Sequence, residues 1–358
     1  MRGAVAAALR DGSATRAAVA GAATNARLQV CRLNAAAWLE REAGAWPALG
    51  AIAFGADVPA SADPIGARLL APADGGFDAW CGGAGAPLRR GRCGNVRWRD
   101  DGHWLWGVID LDDTSRSGDL APLAERAYAE LFATLDATAR PQLLRIWNFL
   151  PQINADGGGL ERYRQFNAGR QRAFVRAGRA LFDGAPAASA LGTHGGPLAL
   201  RFVAGRSAAV AVENPRQVSA YHYPSDHGPR SPIFSRAAWV DAGAGRSALL
   251  VSGTASIVGH RSLHAGDVAA QARETVANLR ALVAAAARAG RPRVTLADLR
   301  CIVYLRHAAD LTRVRAELNS AFGADAAALD AAQYVEADIC RSELLVEIEA
   351  HAFGANDR

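Results

Sequence analysis

Ala337-Asp338-Ile339-Cys340-Arg341-Ser342-Glu343-Leu344-Leu345-Val346-Glu347-Ile348-Glu349-Ala350 is the stretch on which the fold turns. From Leu345 onward apolar and acidic residues alternate. In an extended chain Glu347 and Glu349 therefore share one face, with Val346 and Ile348 on the other. An ordinary surface strand gives the same pattern. Two features set this one apart: Cys340 stands seven residues before Glu347, and the chain carries many arginines able to hold an anionic substrate nearby. Glu347 is accordingly the candidate catalytic acid, and the other segments are expected to deliver a substrate to it.

Outward from this strand, one succession of elements occurs twice. In the first half, Trp104–Asp110 reads as a strand, and 120–135 reads as a helix with Leu123, Ala127, Leu131 and Leu135 at helical spacing. Leu143–Leu150 reads as a buried strand, Glu161–Leu181 as a second helix, then Leu198–Val203 and Ala208–Val212 as strands. In the second half the order is a strand at Ala248–Gly253 and a helix at Asp267–Arg288 with Val268, Ala272, Val276, Leu279 and Val283 on one stripe. A strand at Cys301–Arg306, a helix at Ala309–Phe322 and final strands within Ile339–Ile348 complete it. This repetition predicts an α+β fold of two duplicated units, roughly 100–215 and 236–355, each a mixed β-sheet with helices packed on one face. The expected division is an N-terminal region, 1–235, and a C-terminal domain, 236–358, carrying the catalytic strand. Residues 1–60 read as a mixed opening region. Residues 61–100 read as loop, and the Gly-rich run Cys81–Pro87 is not a phosphate cradle, since no G-x-G-x-x-G leads from a strand into a helix.

Composition narrows the function classes. The 358 residues are 50% hydrophobic, enough for a full core, and no apolar run approaches the roughly 20 residues of a membrane span. The six-residue apolar run within Met1–Arg10 is soon followed by Asp11 and Arg16, so a signal peptide is not expected and the cytoplasm is the default location. Every one of the 40 basic residues is arginine, set among 35 acids for a net charge of +5. No basic tract is interleaved with aromatics, so no nucleic-acid partner is expected; arginine's bidentate grip on carboxylates favours a small anionic substrate. Five cysteines, with no C-x-x-C, support neither a disulfide framework nor a zinc site, and His222, His260 and His264 lack metal-ligand spacing. No metal is expected.

The second half resembles the RidA/YjgF family through Ser252-Gly253, Gly266–Arg273, Asn278-Leu279, Val294–Asp298 and Leu345–Ala350. That family places its sites in clefts between packed sheets, with an arginine on the substrate carboxylate; its usual arginine ahead of the last strands is not clearly matched here, although Arg341 lies nearby. The first half resembles the chorismatase family through Arg145-Ile146-Trp147-Asn148-Phe149-Leu150-Pro151-Gln152-Ile153-Asn154 and Glu161–Arg170. Glu213–Pro224 and Gly228-Pro229-Arg230 extend the match. The resemblance implies removal of the enolpyruvyl group of chorismate as pyruvate, without a cofactor. It carries over the acid role to Glu347. Cys340 and Gly253 resemble the branch forming 3-hydroxybenzoate; bifunctional 3-/4-hydroxybenzoate and hydrolytic diol-forming branches are the alternatives. Cys340 would steer the product either as a proton donor or as a transient nucleophile. Gly253 would make room for the ring. Arg306, Arg230 and Arg170 are the candidate carboxylate clamps, Arg170 equally a structural residue, and Tyr221 and Tyr223 are candidate hydrogen-bond donors to substrate. A RidA-like binding protein without this activity is the non-enzyme reading, and a monomer or small homo-oligomer is expected.

Overall fold

The computed structural model describes residues 27–44, 48–72, 75–83, 87–113, 118–182, 184–288 and 292–355. The Met1–Arg10 run and the middle of the Gly-rich run Cys81–Pro87 lie outside the described residues.

The chain opens with β1 (Gln29–Leu33), α1 (Ala35–Ala43), β2 (Gly50–Ile52), β3 (Arg68–Ala71) and β4 (Phe77–Cys81). Next come β5 (Arg89–Cys93), β6 (Val96–Asp100), β7 (Leu105–Leu111), α2 (Ala121–Ala137) and β8 (Gln142–Pro151). α3 (Arg162–Arg176), β9 (Ala187–Thr193) and β10 (Leu198–Gly205) complete the first unit. The second contains β11 (Val210–Val212), β12 (Ala237–Gly243), β13 (Arg246–Ala255), the short hairpin β14 (Ile257–Val258) and β15 (Arg261–Ser262), and α4 (Val268–Ala287). It ends with β16 (Arg300–Leu305), α5 (Leu311–Phe322), β17 (Gln333–Glu336), β18 (Asp338–Ile339) and β19 (Val346–Ala355).

Two seven-stranded sheets result, ordered β18-β9-β8-β10-β7-β6-β5 and β11-β12-β13-β19-β16-β17-β3. Read from the β5 and β11 ends, the two orders match strand for strand, and each contains one parallel pair, β8–β9 and β16–β17. The duplication expected from the sequence is thus present in the topology. Each sheet is completed at its last edge by a strand from elsewhere: β18 pairs with β9, and β3 pairs with β17.

Helix faces explain the layering. In α4 the stripe Val268, Ala272, Val276, Leu279 and Val283 is buried, and Asp267 caps the helix by accepting from the amides of Ala269 and Ala270. With Val314 and Leu318 of α5 it packs on Val303 and Ile348 of the second sheet. α2 and α3 cover the first sheet, where Leu131, Leu135 and Phe174 meet Ile146 and Leu200. The inner faces of the two sheets close on each other through Trp106, Trp147 and Phe149 on one side and Leu250, Ile302 and Tyr304 on the other. Leu49, Ile52 and Trp80, from or beside the small sheet β1-β4-β2, join the same core and wall its third side. Burying each such side chain is worth about 1.5–3 kcal/mol, so this central layer fixes the distance between the sheets.

Several local readings change. Residues 61–100 are not loop: they supply β3 to β6, short strands whose glycine, arginine and proline content suits edges and hides the alternation. β9, with the sequence Ala187-Ala188-Ser189-Ala190-Leu191-Gly192-Thr193, gave no strand signal because neighbours crowd it; a Cβ on Gly192 would lie 2.4 Å from Ile153 and 2.5 Å from Asp338. The strand expected at Ala208–Val212 shortens to β11 and belongs to the second sheet, so the sheets exchange strands across residue 235. No helix among the described residues is long and apolar enough to cross a membrane.

Candidate active site

β19 presents Val346, Ile348 and Ala350 to α4 and α5 and turns Glu347, Glu349 and His351 inward. The polar face of this strand meets the other sheet and not solvent: Glu347 is 4% and Glu349 3% exposed. Burying two carboxyls two residues apart demands compensation, and it is unequal. Glu349 accepts from Trp147 Nε1 and Arg145 Nη2, both at 2.7 Å, and from the Ser189 hydroxyl. These donors sit on β8 and β9, so the Arg145–Glu349 ion pair bridges the two sheets.

Among the described residues Glu347 has no comparable set of donors. Burial, and then the charge of Glu349, push its pKa up to about 8, against the pull of Arg145 and Arg236. At neutral pH it is a carboxylic acid with a proton to give. Its room comes from the neighbouring strand. β13 pairs with β19 with a register shift between Val251 and Thr254, and Gly253 sits in that irregularity. A Cβ at Gly253 would lie 2.0 Å from Glu347 Oε1.

A cavity of about 410 Å³ opens beside Glu347, walled also by Gly253, Cys340, Tyr163, Arg236 and Arg341. Tyr223, another wall residue, has Arg236 at 5.5 Å and Arg341 at 5.1 Å from its ring centre. Arg236 donates to Tyr223 Oη at 2.6 Å and to the Val218 carbonyl at 2.8 Å, leaving its buried Nε without a partner. Arg341 donates from Nη1 to the His260 carbonyl and Ser262 Oγ, leaving Nη2 buried and unpartnered. An unsatisfied buried donor costs about 1–3 kcal/mol, more when charged, so both guanidinium groups are set to accept an anion. At the rim His227 Nε2 lies 3.1 Å from His260 Nδ1, and burial with the nearby Arg341 charge lowers the pKa of His227. The Cys340 thiol is pushed up to about 12, by burial first and then by Glu347.

The structure brings together Glu347, Cys340, Gly253 and Tyr223 of the residues singled out in the sequence; the other four stand off the cavity wall. Arg306 spends its guanidinium on Asp338 (2.6 Å), Asn154 Oδ1 and the carbonyls of Ile339, Arg341 and Leu344, which holds the 338–344 segment in place. Arg170 is a buried residue of α3 itself, bonded to Asn167 and lying over Phe166. Arg230 is exposed, and Tyr221 is buried against Phe182 and His222. The arginines on the cavity wall are Arg164, Arg236 and Arg341: Arg164 stands 3.4 Å from Glu161, Arg236 went unread in the sequence, and Arg341 was noted there only as a neighbour. A single arginine at the head of the apolar run Ala237–Val240 was the available signal for Arg236.

Residues 78–204 match the family model described as chorismatase FkbO/Hyg5-like, N-terminal. A 3-hydroxybenzoate synthase of Streptomyces hygroscopicus is 36% identical over 275 residues, 74% of this chain and 78% of that protein. A chorismatase of Streptomyces rapamycinicus is 36% identical over 282 residues, 76% of this chain and 80% of its own. A crystal structure of a chorismatase superposes with a TM-score of 0.77 at 30% identity, covering 92% of this chain and 98% of that one. Sequence kinship over three-quarters of the chain, carried on a shared fold, makes this protein a member of the chorismatase family.

Proposed function

We propose that the protein converts chorismate to 3-hydroxybenzoate and pyruvate, with Glu347 as the general acid. The observation that carries this reading is a buried carboxyl, protonated at neutral pH, facing a cavity beside two arginines with unused donors. Chorismate has two carboxylates, and Arg236 and Arg341 are suited to hold them. Glu347 gives its proton to the enolpyruvyl methylene, creating an oxocarbenium-like centre whose ether carbon–oxygen bond to the ring is then labile. The neighbouring ring hydroxyl displaces that oxygen internally; its proton is lost, pyruvate departs, and an arene oxide remains. Opening and aromatisation give the hydroxybenzoate. Substrate and the two products are isomeric in sum, so no water or redox partner is consumed.

Burial keeps Cys340 a neutral thiol, which favours proton donation over thiolate attack during the opening step. The relative named 3-hydroxybenzoate synthase supports that product. Because both sheets that wall the cavity come from one chain, a monomer suffices for one site.

The test is incubation of the wild-type protein and two variants with chorismate, followed by chromatography of the products. Glu347→Gln is expected to lose turnover by about 10²–10⁴-fold; wild-type-like activity would sink the acid assignment. Cys340→Ala is expected to shift product toward the non-aromatic diol, and an unchanged mixture removes Cys340 from the chemistry.

A further inference from the structure

Folding gathers arginines that are strung along residues 89–99. β5 and β6 pair antiparallel with Arg90 opposite Arg99 and Arg92 opposite Arg97, so these four side chains leave one face of the hairpin. Val96, on the other face, packs toward the helices, which makes the arginine face the inner one. The row continues across the sheet: Arg97 stands opposite Val108, and Val108 opposite Arg201. Like charges directly opposite each other destabilise a strand pair, and the chain answers only part of this charge. Glu42 pairs with Arg99 at 2.7 Å and with Arg90 at 3.7 Å. Asp63 lies 2.6 Å from Arg97, and Asp110 lies 3.0 Å from Arg97 and 2.8 Å from Arg201. Five guanidinium groups thus share three carboxylates, and two positive charges are left over.

Arg92 carries the clearest share of that surplus. Among the described residues no carboxylate pairs with it; its Nε donates to the Gly94 carbonyl at 2.8 Å, and both Nη groups are open to another acceptor. A cavity of about 330 Å³ lies at this face, walled by Arg90, Arg92, Arg97 and Arg99 with Ser61 and Asp63. It shares no wall residue with the cavity beside Glu347. Charged side chains on an edge strand such as β5 also keep other chains from pairing with it. That role asks only for charge on the strand, and calls for neither a concave wall nor four arginines converging on one side.

We propose that this cavity is a second anion site, which takes a small molecule through its phosphate group. The charge count selects phosphate over carboxylate. A carboxylate brings one negative charge and is answered by a single guanidinium fork. A phosphate group brings about two near neutral pH, with three acceptor oxygens that separate guanidinium groups can share. Arg90 and Arg92 hold it from the edge strand, and Arg97, half spent on Asp63 and Asp110, meets it from β6. The concave wall, closed on one side by Ser61 and Asp63, fits a small ligand and not an extended polyanion.

Isothermal titration of inorganic phosphate into the full chain tests it, with ionic strength held constant by chloride. The wild-type protein should bind phosphate saturably. Arg92→Gln is expected to weaken that binding about tenfold. Asp63→Asn should strengthen it about threefold, because it removes a carboxylate that competes for Arg97. Opposite signs from two substitutions in one wall are not what a loss of folding gives. Arg341→Gln, which strips a guanidinium group from the active-site cavity, should leave phosphate binding within about twofold of wild type. Absence of saturable binding by the wild-type protein overturns the proposal. So does binding that Arg341→Gln abolishes and Arg92→Gln spares, which would put the phosphate beside Glu347. No readout uses chorismate, so the outcome is independent of the reaction assigned to the active site.

Discussion

Glycine at 253 is a condition for the acid at 347, because the space a methyl group would take is already occupied by the carboxyl oxygen. The sequence pointed to Gly253 as room for a substrate ring; in the folded chain that room goes first to the Glu347 carboxyl. Gly253→Ala must swing Glu347 aside or push β13 away from β19. The expected outcome is a fall in kcat for chorismate of at least about tenfold with a small change in melting temperature, read by steady-state kinetics and thermal unfolding. Wild-type kcat would show that Glu347 has other places to stand. Alternation along the last strand put Glu347 and Glu349 on one face without choosing between them, and the resemblance to the chorismatase family singled out Glu347 and Cys340. Arg236 was not legible: what marks it is a place on the cavity wall together with a buried donor left unpartnered, a property of the folded neighbourhood and not of residue type.

At the scale of elements, β19 carries two opposite environments on its two faces, one against helices and one against a second sheet. Its inward carboxyls are coupled. Replacing Glu349 with Gln removes the negative charge that helps hold Glu347 protonated and leaves Arg145 unopposed, so the pKa of Glu347 should fall below about 8. The alkaline limb of the kcat/KM profile, which reports the acid in the free enzyme, is expected to move to lower pH; an unmoved limb would assign it to another group. Stability follows the same proton. Glu347 ionises near 4.5 in its ordinary state and about 8 when folded, so the folded chain holds the extra proton between those values. The stabilisation is complete below about 4.5 and is lost as pH rises through about 8. Glu347→Gln, always neutral, should therefore gain melting temperature relative to wild type on going from pH 5 to pH 9. Elements with strong periodicity, such as α4 and β8, were readable in advance. β3 to β6 were not, because short edge strands take their pairing from neighbours distant in sequence.

For the whole molecule, the repeated order of seven strands shows two copies of one plan, and the exchange of β18 and β3 binds the copies together. A cut after residue 235 would strip the second sheet of β3 and β11, and the first sheet of β18. The fragments 1–235 and 236–358 expressed separately are expected to lack a cooperative unfolding transition by circular dichroism, and to regain it when expressed together. A cooperative transition in either fragment alone would show that the exchanged strands are dispensable. The duplication was legible from the succession of helices and strands; the exchange was not, since β18 is two residues long and nothing in Asp338-Ile339 says which sheet it joins.

The segment after β18 acquires a mechanical meaning from that exchange. One end is stitched to the first sheet at β9 and the other continues into β19 of the second, with Arg306 clasping the span between them. Cys340 and Arg341 ride on this tether, whereas Glu347 is fixed to one sheet alone. Any sliding of one sheet past the other is thereby converted into a change in the gap between thiol and acid, making the tether a gauge of how the two halves are seated.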